Sequence, residues 1–311
     1  MRVREVDAST APEEELLRLH ALEEACAPPG VPFRSPELSL ANYRYSSAKI
    51  RRHYFAENDG TLVGAATLTV HGPAFVYADL AVRSQHRRQG IGTALLEELR
   101  AAARDAGASS FFSHHWNAEG AAFANHVGAR DDHRDVRATL VLRSAELPDP
   151  VVPAGWRLVT WIGAAPEDLL DSYARARDAI NDAPMPEGSA APSITAQDVR
   201  EQEESAAKRG REVRATVAID DRNEVAGFTD LRVTPGEAAA STDDTAVAVW
   251  ARGRGIGRAV KVESLRRLRV DRPEVETVTT MNAEHNAAMR HINTSVGFVP
   301  TVIMTTTVLT L

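Results

Sequence analysis

The chain has 311 residues, a length that fits two domains of roughly 150 residues each better than a single domain. Its hydrophobic content of 43% and charged content of 25% are typical of a globular protein. The net charge of −7 argues against a protein that binds nucleic acid regardless of sequence, because such a protein needs a basic surface.

The cysteine content and the apolar patterning exclude further classes. The chain has one cysteine, Cys26, so it forms neither an intrachain disulfide nor a metal centre built from several cysteines. Its first residues lack the apolar core of a secretion signal, and no apolar run approaches the about 18 residues that span a membrane. We therefore expect a cytoplasmic protein with no membrane, nucleic-acid or metal partner.

The first half of the chain predicts ten elements in the order β-α-α-β-β-β-α-β-α-β. The turn signal Asn58-Asp59-Gly60 between two β-rich runs predicts a hairpin. The predicted strands cover residues 2–6, 52–56, 62–70, 75–82, 110–114 and 136–142, and the predicted helices cover residues 12–25, 37–49, 95–106 and 117–127.

The second half predicts the same order of elements. Thr195 and Asp198 form a variant of the capping box that starts a helix. The predicted strands cover residues 156–161, 213–219, 225–233, 245–249, 276–280 and 301–309, and the predicted helices cover residues 166–180, 195–208, 260–270 and 286–296. Three prolines between residues 143 and 155 give that stretch the character of a linker, which predicts domains at residues 1–147 and 148–311.

A basic, glycine-rich turn stands at the same place in each half, between a β-rich run and a helical run. The two turns contain Arg87, Arg88, Gln89, Gly90, Ile91, Gly92 and Thr93 in the first half and Arg252, Gly253, Arg254, Gly255, Ile256, Gly257 and Arg258 in the second. Gly90 and Gly255 are 165 residues apart, and so are the pairs Val82 and Val247, and Asp79 and Asp244. A shared register over strand, turn and helix indicates a duplicated domain.

A strand, a glycine turn and a helix together form a binding site for an anion. Glycine lets the backbone approach a ligand closely, consecutive N–H groups point inward, and the helix N-terminus adds positive potential. The alternative is a helix start whose glycines only permit tight packing.

The spacing Arg-x-x-Gly-x-Gly after a strand resembles the acetyl-coenzyme A signature of the GNAT N-acetyltransferase superfamily, and both turns match it. A second signature of that superfamily is an Asn followed after eleven residues by Gly and an aromatic residue. Asn286, Gly297 and Phe298 match this spacing. Asn117 and Gly128 match it more loosely, without the aromatic residue.

The resemblance covers nearly the whole chain, twice, and the second half is similar to tandem GNAT proteins of actinobacterial type with a mycothiol-synthase-like architecture. It implies an α/β (α+β) fold of two tandem GNAT-type domains, each a twisted mixed β-sheet flanked by helices. It also implies acetyl-coenzyme A as the cofactor. Besides the two turns, the residues that it implies for cofactor binding are Leu80, Val82, Asn117, Phe123, Val247 and Asn286.

The resemblance also suggests catalytic residues. In this superfamily the strand before the turn separates from its neighbour, and a neutral amine attacks the thioester directly. Asp79 and Asp244, three residues before the valines, are candidates for attracting the ammonium group or accepting its proton, and Tyr77 shares the strand face of Asp79. A strand-end acid that pairs with an arginine, and a tyrosine packed in the core, are the structural alternatives. Asp182 lies where the family builds its acceptor loops and is the candidate for acceptor recognition.

Both halves depart from the family at one position. The usual acid for the leaving thiolate is a tyrosine seven residues after the helix Asn, and here these positions hold Ala124 and Asn293. The sequence therefore predicts an acetyl-coenzyme A-dependent N-acetyltransferase for a small-molecule primary amine, as a monomer or homodimer. A non-catalytic acyl-coenzyme A binding or regulatory protein is the alternative.

Overall fold

The computed structural model of the chain describes residues 1–45, 48–72, 75–182 and 193–311, and the side chains of residues 181 and 182 lie outside that description. The chain forms two compact units. Unit 1 contains residues 1–134 and 304–311, and unit 2 contains residues 135–303. No helix in the described ranges is long and apolar enough to cross a membrane.

Unit 1 is built on a mixed sheet with helices on both faces. Its elements are β1 (Arg2–Val6), α1 (Glu13–Ala25), α2 (Pro36–Arg44), β2 (Ile50–Asn58), β3 (Thr61–Gly72), β4 (Phe75–Val82), α3 (Ile91–Asp105), β5 (Ser110–His115) and α4 (Ala118–His126). The strands lie in the order β1-β2-β3-β4-β5. Strands β4 and β5 are parallel, and the other neighbours in this order are antiparallel.

Strand alternation gives the sheet of unit 1 two different faces. One face packs Leu68 and Ala78 against α3, whose Leu95 and Leu99 lie on one side of the helix because they are four residues apart. The other face packs Phe55 of β2 and its neighbours against α1 and α2. The sheet therefore divides the core of unit 1 into two layers. Polar residues on the same side of the sheet as Phe55 point toward α1 and α2.

Unit 2 repeats the arrangement. Its elements are β6 (Arg130–Val141), whose residues from 135 onward belong to this unit, β7 (Arg157–Ile162), α5 (Glu167–Arg177), α6 (Ala196–Lys208), β8 (Glu212–Ile219), β9 (Val225–Val233), β10 (Ala239–Val247), α7 (Ile256–Asp271), β11 (Thr277–Ala283), α8 (Ala287–Ser295) and the start of β12 (Val299–Thr310). The strands lie in the order β7-β8-β9-β10-β11-β6, with β10 and β11 parallel.

The closing strand of each half completes the sheet of the other unit. Strand β6 pairs antiparallel with β11, and residues 305–310 of β12 pair antiparallel with β5. Leu140 of β6 is buried in the core of unit 2, and Leu309 of β12 is buried in the core of unit 1. The compact units thus divide the chain at 134/135 and 303/304, whereas the sequence-based boundary at 147/148 separates the duplicated halves.

The α/β fold class and the order of elements are confirmed, and a few bounds differ. The helices after the glycine turns begin at Ile91 and Ile256, directly after glycines with positive φ, rather than at residues 95 and 260. Helix α2 ends at Arg44 rather than at residue 49, because Tyr45 takes an extended conformation. Strand β10 begins six residues earlier than predicted, since pairing with β9 and β11 overrides the weak strand propensity of its polar first half.

Candidate functional site

The turn after β4 in unit 1 leaves a helix N-terminus open. Arg87 closes the turn by donating from Nε to the carbonyl oxygen of Val82 at 3.1 Å. Gly90, at a φ of 80°, is the N-cap of α3 and supplies no side-chain acceptor to the first helical turn. A Cβ atom at Gly90 would meet no atom within 4 Å, so the space beside the turn is open. Unpaired first-turn N–H groups and the helix dipole favour an anion at such a place.

Unit 2 builds the same turn after β10. Arg252 donates from Nε to the carbonyl oxygen of Val247 at 3.0 Å, and Gly255, at a φ of 82°, is the N-cap of α7. A Cβ atom at Gly253 or at Gly255 would also meet nothing within 4 Å. The two arginines of the signature therefore brace their turns, and the residues present in both units fit a pyrophosphate group.

One position of the turn holds an arginine in unit 1 and a glycine in unit 2. Arg88 has a φ of 62°, in the left-handed region, and Gly253 has a φ of 75° at the same place in the second turn. A non-glycine residue in this conformation costs about 1–2 kcal/mol. The first turn thus carries an exposed arginine at a strained position beside a helix N-terminus that suits an anion.

The last glycine of each signature serves close packing. A Cβ atom at Gly92 would lie 3.2 Å from Cε2 of Phe123 in α4, and a Cβ atom at Gly257 would lie 3.1 Å from Cδ1 of Ile292 in α8. These glycines let the following helix approach the turn helix. Phe123, a predicted cofactor residue, therefore packs directly on the turn helix.

The other predicted cofactor residues occupy several environments. Ile91 and Ile256 are buried in the cores, so their backbone alone faces the turn. Asn117 and Asn286 are side-chain N-caps of α4 and α8, accepting from the N–H groups of Gly120 and Met289. Leu80 packs on the α3 side of the sheet, and Gln89 and Thr93 belong to the glycine-rich turn of unit 1 and the helix start after it. In unit 2, Arg254 lies over the ring of Trp156, and Arg258 contacts Ser295.

The strand before each turn separates from its parallel neighbour, as expected. Among the described residues, β4 and β5 pair only at Tyr77 and Phe112, five residues before β4 ends. In the described part of unit 2, β10 and β11 pair only from Ala239 to Ser241, and β10 continues to Val247. The backbone of each strand end is thus free to bind an extended ligand that leads away from the turn.

Asp79 and Tyr77 lie on the face of the unit 1 sheet that meets α1 and α2. The ring of Tyr77 is parallel to that of His114, with centroids 6.4 Å apart. Asp79 is accessible to solvent and, among the described residues, has no hydrogen-bond or ion-pair partner. Enclosure by the surrounding protein raises the pKa of Asp79, and the nearby His114 and Arg51 oppose that rise. The structure therefore places two of the predicted catalytic residues on one face of β4, beside the point where β4 leaves β5. We refer to this region, which Tyr77, Asp79 and His114 border, as the cleft.

The same face of unit 1 holds polar residues that the sequence did not single out. Glu23 binds Arg34 and accepts a hydrogen bond from the Tyr43 hydroxyl at 2.6 Å. His53 is buried, and its Nδ1 lies 2.9 Å from Oγ1 of Thr67. Desolvation lowers the pKa of His53 to about 4, so its ring is neutral at physiological pH.

In unit 2 the third predicted catalytic residue is paired. The carboxylate of Asp244 lies 3.5 Å from the guanidinium of Arg177, beside a second buried contact in which the Tyr173 hydroxyl donates to Asp230 at 2.7 Å. Burial raises the pKa of Asp230 to about 7. Tyr173, Arg177 and Asp230 line a small cavity together with Trp161. The arginine pairing that the sequence left as an alternative is the arrangement found at Asp244.

Comparisons with known proteins agree with this geometry. The sequence model of the acetyltransferase (GNAT) family matches residues 16–128. The chain is 32% identical over 254 residues to the mycothiol acetyltransferase of Nocardia farcinica, which is 80% of each chain. The tandem GNAT protein from the clavulanic acid biosynthesis pathway has a TM-score of 0.84 at 25% identity, with 99% of this chain and 98% of that chain covered.

The chain belongs to the tandem GNAT acetyltransferases. It is an N-acetyltransferase, and its reaction class is acyl transfer from acetyl-coenzyme A, the acyl donor of the family. A GCN5-related N-acetyltransferase from Sphaerobacter thermophilus shares the fold with a TM-score of 0.74 at 17% identity, covering 99% of this chain and 95% of that chain.

The position of the family tyrosine is filled differently in the two units. Ala124 in α4 offers no hydroxyl. Asn293 in α8 is buried, accepts a hydrogen bond from Nζ of Lys261 and donates to Asn282. Desolvation lowers the pKa of Lys261 to about 7. In unit 2 this position is therefore part of a closed buried network.

The sequence analysis did not identify Arg51, Asp230 and Lys261. Their importance depends on the sheet face or the core in which the fold places their side chains. Arg51 and His53 are two residues apart in a β-rich run, a spacing that places both on one face. Only the register with β3 and β4 shows that this is the face of Asp79. The side chain of Asp182, predicted to bind the acceptor, lies outside the described residues.

Proposed function

We propose that the chain transfers the acetyl group of acetyl-coenzyme A to the primary amine of a small-molecule acceptor, by direct attack in a ternary complex, and that unit 1 carries the transfer. The observation that carries this proposal is the coincidence in unit 1 of three features. These are an open helix N-terminus, a gap between β4 and β5, and beside that gap the carboxylate of Asp79, which has no partner within the described ranges.

The residues that would hold the cofactor follow from the turn. In unit 1, the N–H groups of residues 88–93 would hold the pyrophosphate, with Arg88 adding a charge-assisted contact. The backbone near Val82 would hydrogen-bond the pantetheine arm where β4 leaves β5. Acetyl-coenzyme A supplies an activated acetyl group when it is bound there. Unit 2 offers the equivalent groups from residue 253 to residue 258 and near Val247.

The acceptor reacts as a neutral amine, so the site has to remove a proton from an ammonium group. Asp79 attracts the ammonium group and accepts its proton, directly or through a water molecule. A carboxylate whose pKa is raised toward the working pH is a better base than one at its ordinary value. Tyr77 and His114 form the wall of the cleft beside it. The pairing with Arg177 favours Asp79 over Asp244 for this role.

The overall exchange forms one amide bond and breaks one thioester bond. The nitrogen loses two protons between ammonium and amide, and the released thiolate takes up one, so the exchange liberates one proton overall. Because Ala124 replaces the family tyrosine in unit 1, we assign the proton that the thiolate takes up to solvent. A thiol with a pKa near the reference value of about 8.5 leaves as a thiolate with little assistance.

The test combines binding with turnover. Calorimetric titration with coenzyme A should show saturable binding in the micromolar range, and thiol release from acetyl-coenzyme A should depend on added amine. The amine panel includes alkylamines, polyamines, amino sugars and amino acids. Absence of binding at high micromolar coenzyme A would contradict the assignment of the turns. Binding without thiol release for any amine would contradict the assignment of transfer to unit 1.

A further inference from the structure

Two opposite charges share one face of the unit 1 sheet. In the strand register, Arg51 on β2 pairs with Thr69, which pairs with Tyr77, and Asp79 lies two residues beyond Tyr77 on β4. Residues related in this way point to the same side of a sheet, here the side of α1 and α2. The strand spacing and the rise per residue place the Cα atoms of Arg51 and Asp79 roughly 12 Å apart.

Neither of these two charges is neutralised within the part of the chain that the structure describes. Nη1 of Arg51 donates to the carbonyl oxygen of Asn42 at 2.6 Å, and its buried Nε has no partner. Burial lowers the pKa of Arg51, against the opposing effect of Glu23 and Asp79. Arg51 is therefore a desolvated cation whose guanidinium, among the described residues, has no carboxylate in hydrogen-bond or ion-pair contact with it. A carboxylate in charge-assisted contact is the partner that such a guanidinium favours.

The neighbours of Arg51 add hydrogen-bond donors and little negative charge. Glu23 is occupied by Arg34 and Tyr43, so it does not neutralise Arg51 directly. The buried Nε of Arg34 and Nε2 of His53 also lack partners within the described residues. The Arg51 side of the cleft therefore fits an anionic group, and the Asp79 side fits a cationic group.

We infer that the acceptor is a zwitterion, a primary amine that also carries a carboxylate, such as an amino acid or a small molecule built like one. Its ammonium group meets Asp79 and its carboxylate meets Arg51. This inference rests on the proposed function, because it uses the same cleft and the same proton acceptor. In unit 2 the Asp244 carboxylate is already paired, so the zwitterion site belongs to unit 1.

The test compares acceptors of equal length that differ only in the carboxylate. Thiol release is measured at saturating acetyl-coenzyme A with glycine, β-alanine, γ-aminobutyrate and several α-amino acids. Each is paired with its carboxamide or with the alkylamine of the same length. We expect kcat/KM to be at least tenfold higher for the best zwitterion than for its counterpart without the carboxylate. The chain length of the best zwitterion should reflect the distance between the side-chain charges of Arg51 and Asp79.

Variants of Arg51 locate the effect. Arg51→Gln should raise KM for the zwitterion about tenfold or more and should change kcat/KM for the matched alkylamine much less, because only the zwitterion carries a group that meets Arg51. Arg51→Lys should restore part of the loss. Arg52→Gln is the matched control, because Arg52 faces the other side of the sheet and contacts Glu5 and Asp105. Its kinetics should equal those of the unchanged protein.

The outcomes separate this inference from the proposed function. Turnover of alkylamines with the same kcat/KM as zwitterions would overturn the zwitterion inference and leave the proposed function in place. An equal loss for both kinds of acceptor in Arg51→Gln would also overturn it, since it would show a merely structural role for the arginine. Absence of turnover with every amine would overturn the proposed function itself, and this inference with it.

Discussion

In unit 2 the guanidinium of Arg177 lies 3.5 Å from the carboxylate of Asp244. The helix that carries this arginine, α5, begins after Pro166, and α1 of unit 1 begins in the same way after Pro12. Eleven residues after its proline, α5 has Arg177, whereas α1 has Glu23. This charge reversal gives unit 2 an internal ion pair and leaves Asp79 in unit 1 open to an external cation.

Replacement of Gly90 by alanine should weaken cofactor binding at the unit 1 turn. Gly90 has a φ of 80°, and a Cβ atom there would enter the open space where we place the pyrophosphate. We expect Gly90→Ala to lower the affinity of unit 1 for coenzyme A at least tenfold, as measured by calorimetric titration. The corresponding change in unit 2, Gly255→Ala, reports the second turn separately.

Gly107→Ala is the matched control for this measurement. Gly107 follows the C-terminal end of α3, has a φ of 76°, and also has nothing within 4 Å of a Cβ atom. Both variants therefore pay the same backbone cost of about 1–2 kcal/mol. Equal coenzyme A affinities for the two variants would contradict the assignment of the turn.

Arg88→Gly should separate stability from binding. The substitution relieves a left-handed arginine, so the free energy of unfolding should rise by roughly 1 kcal/mol. It also removes the guanidinium that we place on the pyrophosphate, so coenzyme A affinity should fall about tenfold. Asp59→Gly, at the other non-glycine residue with positive φ among the described residues of unit 1, should raise the free energy of unfolding by a smaller amount without a loss of affinity. Unchanged affinity in Arg88→Gly would remove Arg88 from the site.

The sequence predicts the position and conformation of the glycine-rich turns well. It does not predict which side chains come together on each face of the sheet. Gly90 and Gly255 are recognisable because their chemistry is local, since a strand, a positive φ and a helix start follow one another along the chain. The neighbours of Asp79 and the ion-pair partner of Asp244 depend on strand register and on helix packing, which bring together residues more than twenty positions apart. The sequence also does not predict that β6 pairs with β11 and β12 with β5. The composition of each strand would suit a closing strand in either unit.

Lys261 should give unit 2 a pH-dependent stability. Its pKa is lowered to about 7 by desolvation, whereas the unfolded chain has the ordinary value of about 10.4. Between these values the unfolded state binds a proton that the folded state does not. The free energy of unfolding should therefore rise from pH 7 to pH 10 by up to about 1.4 kcal/mol per pH unit.

Lys261→Met removes the titrating group and should abolish this slope in chemical denaturation across that pH range. Lys208→Met is the control, because Lys208 is exposed on α6 and should leave the slope unchanged. A slope that persists in Lys261→Met would show that another group causes it.

The activity of Asp79→Asn tests the assignment of the transfer to unit 1 most directly. Asp79 is exposed and makes no hydrogen bond or ion pair within the described residues, so the nearly isosteric variant should keep a stability at pH 7 close to that of the unchanged protein. With folding and coenzyme A affinity intact, kcat/KM for the amine should fall about 10²-fold or more, the usual effect of losing a proton acceptor. An Asp79→Asn variant that keeps kcat/KM within twofold of the unchanged protein would contradict the account.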